Sequence, residues 1–314
     1  SQAEELAQTL TLEQGKPLAQ ARAEVGVAAR AFAYYAGMSL SPEVIRETER
    51  QKVVRSYHPL GVAALITAWN FPIALLAWKA APALLAGNAC LVKPAPTTPL
   101  TALTLSSIFA KVLPTGLVQV LVGGGDLGQA LVAHPAVEKI SFTGSTATGR
   151  HIMRGGADRL KRLTLELGGN DPAIVLPDAD AEAAAAGIAA VAFRNAGQVC
   201  IAPKRVLVPA ERHDEIVDAF RTVLAGHTVG DGRADGVTIG PVNNEMQRRQ
   251  LAGYEASVTE DGGTLHHAAY DAHGLPGYFV RPAVVTGLDA GARLVREERS
   301  EEHTSELQSR QYLV

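Results

Sequence analysis

Of the two cysteines in the chain, one is placed where a thiol could react. Cys200 ends the run Phe193-Arg194-Asn195-Ala196-Gly197-Gln198-Val199-Cys200, small and polar residues that follow an alanine-rich helical stretch. A thiolate is a strong nucleophile, and a lone cysteine of this kind is a candidate for covalent catalysis. In isolation it reads better as a small buried apolar residue. Cys90, inside the apolar run 89–92, reads as buried and inert. Glu166 precedes Cys200 in Leu165-Glu166-Leu167-Gly168-Gly169-Asn170. Its flanking leucines predict a strand end entering an apolar region, where burial would raise the carboxyl pKa and suit it to act as a base.

Other polar residues fall near the ends of apolar runs. Thr67-Ala68-Trp69-Asn70-Phe71-Pro72 follows the first of these. An asparagine amide there can donate to a developing oxyanion, and it can equally cap the next helix. Lys93-Pro94 ends the next run, either holding a ribose or standing on the surface ahead of a turn. Gly123-Gly124-Gly125-Asp126-Leu127-Gly128 matches a G-x-G-x-x-G pattern, a weak signal, and it follows the third strand of the series rather than the first. Phe142-Thr143-Gly144-Ser145 is better placed, since it follows a strand and opens a helix. N–H groups and hydroxyls there suit a pyrophosphate, or Ser145 or Thr146 simply caps the helix.

These residues need a frame. From residue 61 the pattern alternates: strands at 62–67, 89–93, 118–122 and 139–143, with helices at 73–85, 99–112, 127–134 and 147–155. Such alternation with short connections predicts a parallel sheet covered by helices. It restarts after Glu166, with strands at 173–176, 205–208 and 278–285 and helices at 181–194, 214–225 and 243–259. Two helices, 3–12 and 18–35, come first. Residues 44–57 are charged and extended, an exposed strand pair that is either solvated or an edge awaiting a partner subunit.

With 314 residues, 47% hydrophobic and net charge −3, two domains fit and no basic footprint suggests nucleic acid or an anionic membrane. The apolar stretch 63–87 contains Asn70, Pro72, Lys79 and Pro82, which argue against a bilayer span. Two cysteines make no disulfide framework or zinc site, no signal peptide is evident, and a cytoplasmic protein is expected.

Taken together, these motifs, with Glu13-Gln14-Gly15-Lys16-Pro17, Trp78-Lys79 and Pro82-Ala83-Leu84-Leu85-Ala86-Gly87-Asn88, resemble the aldehyde dehydrogenase superfamily over about 11–298. The resemblance implies an α/β fold. A Rossmann-like dinucleotide domain would span 1–168, with oligomerisation strands inserted at 41–58. An incomplete catalytic α/β domain would span 169–298. The polar segment 299–314 resembles translated sequencing adapter, which implies a non-native tail.

The resemblance also implies roles. Cys200 is the nucleophile, Glu166 the base, Asn70 the oxyanion donor and Lys79 a proton relay. NAD or NADP would be bound by Thr67, Trp69, Lys93, Pro96, Gly124, Gly128, Gly144, Ser145, Gly168 and Glu298. Pro96 stands where NAD-preferring relatives often carry a glutamate, so a 2′-phosphate is not repelled. Phe71, Leu75, Trp78, Val199 and Ile201 match the aldehyde pocket, and their apolar character favours an uncharged aldehyde. Overall similarity to succinate-semialdehyde dehydrogenases keeps that substrate open. A homodimer or homotetramer is implied for the parent protein. A reading from another class is an inactive fragment, at most a nucleotide-binding module.

Overall fold

The computed structural model describes residues 2–268 and 276–297. In chain order the elements are α1 (Gln2–Gln14), α2 (Leu18–Ala36), β1 (Glu43–Thr48), β2 (Gln51–Arg55), β3 (Val62–Ile66), α3 (Pro72–Leu85), β4 (Ala89–Lys93), α4 (Leu100–Val112), β5 (Val118–Val120), α5 (Gly125–Ala133), β6 (Val137–Thr143), α6 (Thr146–Ala157) and β7 (Arg162–Glu166). Then follow β8 (Asp171–Ile174), α7 (Ala181–Ala192), β9 (Pro203–Leu207), α8 (His213–Ala225), α9 (Glu245–Glu260), β10 (Thr264–His267), β11 (Ala283–Thr286) and α10 (Arg293–Arg296). The chain divides into two compact units. One is Arg22–Glu166; the other joins Ala3–Ala21 to the chain from Leu167 onward.

The unit Arg22–Glu166 contains a five-stranded sheet in the order β5-β4-β3-β6-β7. Every neighbouring pair is parallel. The central strand β3 reads Val-Ala-Ala-Leu-Ile, with four of its five residues buried. That is the unbroken apolar run expected where helices cover both faces of a parallel sheet. Strand order reverses beside β3, because β4 and β5 extend to one side of it and β6 and β7 to the other. In such sheets ligands bind beyond the carboxyl ends of the strands, at this reversal. The same unit carries the antiparallel hairpin β1–β2, exposed along both strands. Glu47–Lys52 and Glu43–Arg55 ion pairs cross it, while Val44, Ile45, Val53 and Val54 stand in solvent.

The other unit is built differently. β8–β9 is a parallel pair and β10–β11 an antiparallel pair. Its core lies beside them, where Ala181, Ala185 and Ala189 of α7 meet Ile216, Ala219 and Phe220 of α8. Alanines four apart share one helix face, and their small side chains let the larger residues of α8 approach closely. An open apolar cavity of about 680 Å³ in this unit is lined by residues of β9, α8, α9 and β11, among them Val206, Phe220, Val258 and Val284. The strand expected from residue 278 narrows to Ala283–Thr286 and pairs with β10, which the sequence pattern does not show.

Candidate active site

At the carboxyl edge of the five-stranded sheet the structure collects many of the residues singled out above. β3 ends at Ile66 and leads into Thr67, Trp69 and Asn70; β4 ends at Lys93; β6 leads into Gly144 and Ser145; and β7 ends at Glu166. Register lines them up, since Ile66 pairs with both Lys93 and Phe142, and Thr143 pairs with Glu166. Main-chain bonds continue past the strands: Thr67 N–H donates to Lys93 O at 3.1 Å and Gly144 N–H to Glu166 O at 3.1 Å. Thr67, Trp69, Lys93 and Ser145 are all buried. Lys93 is therefore no surface lysine; its Nζ donates to Pro94 O at 3.4 Å. Trp69 Nε1 and Thr143 Oγ1 are buried donors with no hydrogen-bond partner among the described residues.

Gly144 has a steric reason to be glycine. A Cβ on Gly144 would lie 2.5 Å from the Phe142 ring, so a side chain would push the β6–α6 loop outward. Ser145 is the N-cap of α6, with its Oγ accepting from Thr148 N–H at 3.2 Å. Gly124 is the N-cap of α5, and the Lys93 side-chain stem runs past Gly128 at ordinary contact distance, 3.8 Å from where a Cβ would stand. Pro96 and Gly168 are exposed.

Asn70 does not cap α3. Its Oδ1 accepts from the neighbouring Phe71 N–H at 3.0 Å, while the helix begins with Pro72 and has no side-chain cap of its own. The capping group comes from α2. Glu24, 1% exposed, accepts from Ile73 N–H at 3.0 Å and Ala74 N–H at 3.1 Å. A carboxylate on the first free N–H groups of a helix satisfies orphan donors and favours the positive end of the helix dipole. It anchors the segment that carries Asn70, Leu75, Trp78 and Lys79. Nothing in the sequence pattern marks Glu24, which is one residue of an Ala-rich helix.

Lys79 is buried, and its Nζ donates to Ser141 Oγ of β6 at 3.3 Å. Burial pulls its pKa down to about 8, against the raising effect of the Glu166 carboxylate, and Lys139 lowers it further. Glu166 corrects the expectation of a buried carboxyl. It is exposed, because β7 is an edge strand whose residues alternate between partly covered and open, and Glu166 falls on the open side. Phe71 is partly buried and Leu75 buried, while Trp78 is 53% exposed.

The nucleophile candidate lies in the other unit. α7 ends at Ala192, two residues before the expected end, and a short turn over Arg194–Gly197 follows. Asn195, Ala196 and Gly197 have φ of 51°, 55° and 75°. Asparagine and glycine enter the left-handed region readily, but it costs a residue such as Ala196 about 1–2 kcal/mol, so the surroundings must impose it there. Cys200 is half-buried and not in a disulfide, and Cys90 is buried with its thiol pushed up to about 11. Val199 is buried, whereas Ile201 is 67% exposed. Gly169 passes against the main chain of Cys200: a Cβ there would lie 2.5 Å from the Cys200 carbonyl oxygen. Asn170 then donates to Val295 O at 2.8 Å, and its own carbonyl accepts from Arg205. Glu298 and the segment 299–314 lie outside the described residues.

A profile of the aldehyde dehydrogenase family matches residues 1–299, and the chain belongs to that family. Succinate-semialdehyde dehydrogenase [NADP(+)] of Escherichia coli is 38% identical over 300 residues, covering 94% of this chain and 62% of that protein. The structure of succinate-semialdehyde dehydrogenase from Burkholderia pseudomallei superimposes with a TM-score of 0.91 at 37% identity, over 95% of this chain and 63% of that one. Betaine aldehyde dehydrogenase from Staphylococcus aureus, solved in complex with NAD+, gives a TM-score of 0.90 at 32% identity over 95% of this chain and 62% of that one. The chain thus spans about 62% of the length of these relatives. No helix among the described residues is long and apolar enough to cross a membrane.

Proposed function

We propose that the protein oxidises an aldehyde to a carboxylic acid with NAD or NADP, using Cys200 as the nucleophile. The observation that carries this reading is the alignment of Thr67, Trp69, Asn70, Lys93, Ser145 and Glu166 along one carboxyl sheet edge at the strand-order reversal. A dinucleotide suits that edge. Trp69 Nε1 and Thr143 Oγ1 are buried polar atoms with no hydrogen-bond partner among the described residues, and the Gly144–Ser145 turn opens α6 beside them. Lys93 would hold the adenosine ribose, the Ser145 loop the pyrophosphate and Gly124 and Gly128 the adenine end. Thr67, Trp69, Pro96 and Gly168 are assigned to the same site, and Glu298 to the nicotinamide ribose. The bound nicotinamide would supply the hydride acceptor.

The Cys200 sulfur forms a bond to the aldehyde carbon, and the carbonyl π pair moves to oxygen. The Asn70 amide and the Cys200 N–H donate to that oxyanion. Loss of hydride from the carbon leaves a thioester on Cys200. Glu166 takes a proton from water, the resulting hydroxide adds to the thioester, and the Cys200 thiolate departs as the acid forms. An exposed Glu166 meets water directly, and Lys79 beside it can pass the proton on because burial brings its pKa to about 8. The test is aldehyde-dependent cofactor reduction by the protein and its Cys200→Ala variant. Loss of turnover in the variant is expected; near-normal turnover rejects the assignment.

For the substrate, apolar Phe71, Leu75, Trp78, Val199 and Ile201 support an uncharged aldehyde. The E. coli and B. pseudomallei relatives named as succinate-semialdehyde dehydrogenases support the alternative. Comparing kcat/KM for succinate semialdehyde and an uncharged aldehyde separates the two. Pro96, which offers no carboxylate, supports NADP as well as NAD. The exposed apolar side chains of the β1–β2 hairpin support a homodimer or homotetramer, which light scattering would report.

A further inference from the structure

The turn that delivers Cys200 is held from far along the chain. A left-handed stretch makes no right-handed helical bonds, so its main-chain groups need other partners. At Asn195 two glutamine side chains supply them. Gln20 Oε1 accepts from Asn195 N–H at 2.9 Å across 175 positions of sequence, and Gln198 Nε2 donates to Asn195 O at 2.8 Å. Each glutamine also ties the turn to the loop ahead of α9. Gln20 Nε2 donates to Thr238 O at 3.2 Å, and Gln198 Oε1 accepts from Asn243 N–H at 2.9 Å. Asn195 and Gln198 are buried, so water is a poor substitute for either partner.

We propose that Gln20 is a positioning residue for Cys200: its side-chain carbonyl fixes Asn195 in the left-handed turn and thereby sets the direction of the Cys200 thiol and N–H. Gln20 touches no reacting atom. Without that acceptor the buried Asn195 N–H loses its bond to Gln20, and Asn195 and Ala196 lose a constraint that keeps them at positive φ. Their return to the right-handed region would break the Gln198 contact and re-aim residues 197–200. Cys200 has no room to adjust toward Gly169, where even a Cβ would lie 2.5 Å from its carbonyl oxygen. The inference rests on Cys200 being the nucleophile.

Two variants of the whole chain test it. Gln20→Glu keeps an acceptor for Asn195 N–H and loses the donor to Thr238 O. Gln20→Met has a similar length and loses both. The readouts are the rate of Cys200 alkylation by iodoacetamide, followed by mass spectrometry, and amide exchange at Gln198 and Ala202, which bond Asn195 O and Val199 O. Gln20→Met should raise exchange at both amides about tenfold and shift the alkylation rate roughly threefold or more, while Gln20→Glu stays within about twofold on both. A purely structural role would lower the thermal midpoint of both variants and leave the Cys200 rate unchanged; that result overturns the proposal. If Cys200 in the parent chain reacts no faster than buried Cys90, the nucleophile reading itself fails, whatever the amide exchange shows.

Discussion

The two units hold their functional residues by different means. In Arg22–Glu166 a continuous parallel sheet fixes the candidate residues by strand register, and its central strand is almost wholly buried. In the unit that carries Cys200 the strands form two separate pairs, with Ile174, Leu176 and Leu207 exposed and an apolar cavity against β9 and β11. There the candidate nucleophile follows a left-handed turn that side-chain hydrogen bonds hold. A sheet tolerates the loss of one contact because its neighbours maintain the register. A turn held by a few amides does not, and it depends on residues remote in sequence.

The contrast can be tested by substitution. Leu65→Ala in β3 should cost about 2–5 kcal/mol, the range for a fully buried leucine; denaturant unfolding followed by Trp69 fluorescence measures it. Lys79→Met should give the next largest change, with a pH signature. The folded-state pKa of Lys79 is about 8, below its ordinary 10.5, so the folded chain binds fewer protons than the unfolded chain across that window and stability rises with pH through it. At neutral pH the buried charge costs on the order of 3 kcal/mol. The variant should gain that much over the parent below pH 8 and lose the gain by pH 10.5. An advantage that does not change with pH would show that packing, and not charge, decides the site.

Glu24→Ala should cost about 1–3 kcal/mol, since it removes the cap of α3 and leaves two buried N–H groups unsatisfied. Glu24→Gln should recover part of that loss in a thermal melt. The smallest effect is expected in β9, where exposed Leu207→Ala should change stability by no more than about 0.5 kcal/mol. Equal costs for Leu207→Ala and Leu65→Ala would remove the distinction between the units.

Legibility in the sequence divides along similar lines. The strands of the five-stranded sheet can be read because burial on both faces demands unbroken apolar runs, and the run 89–93 coincides with β4 residue for residue. β10 gives no such signal, because Thr264–His267 contains two histidines and no apolar run. The pattern carries α7 two residues too far, since Ala196 ordinarily favours a helix and masks the left-handed signal of Asn195 and Gly197 on either side. Motifs single out Cys200, Glu166 and Asn70, but the exposure of Glu166 depends on its edge position, which spacing does not encode. Glu24 and Gln20 act on groups 49 and 175 positions away, and no local period announces such a bond.

Trapping the covalent intermediate tests the central claim most directly. The protein is mixed with aldehyde and NADP, quenched in acid and digested, and the two cysteine peptides are weighed by mass spectrometry. An acyl group on the Cys200 peptide, with the Cys90 peptide unmodified, is the predicted result. An unmodified Cys200 peptide alongside accumulating carboxylic acid would contradict the account.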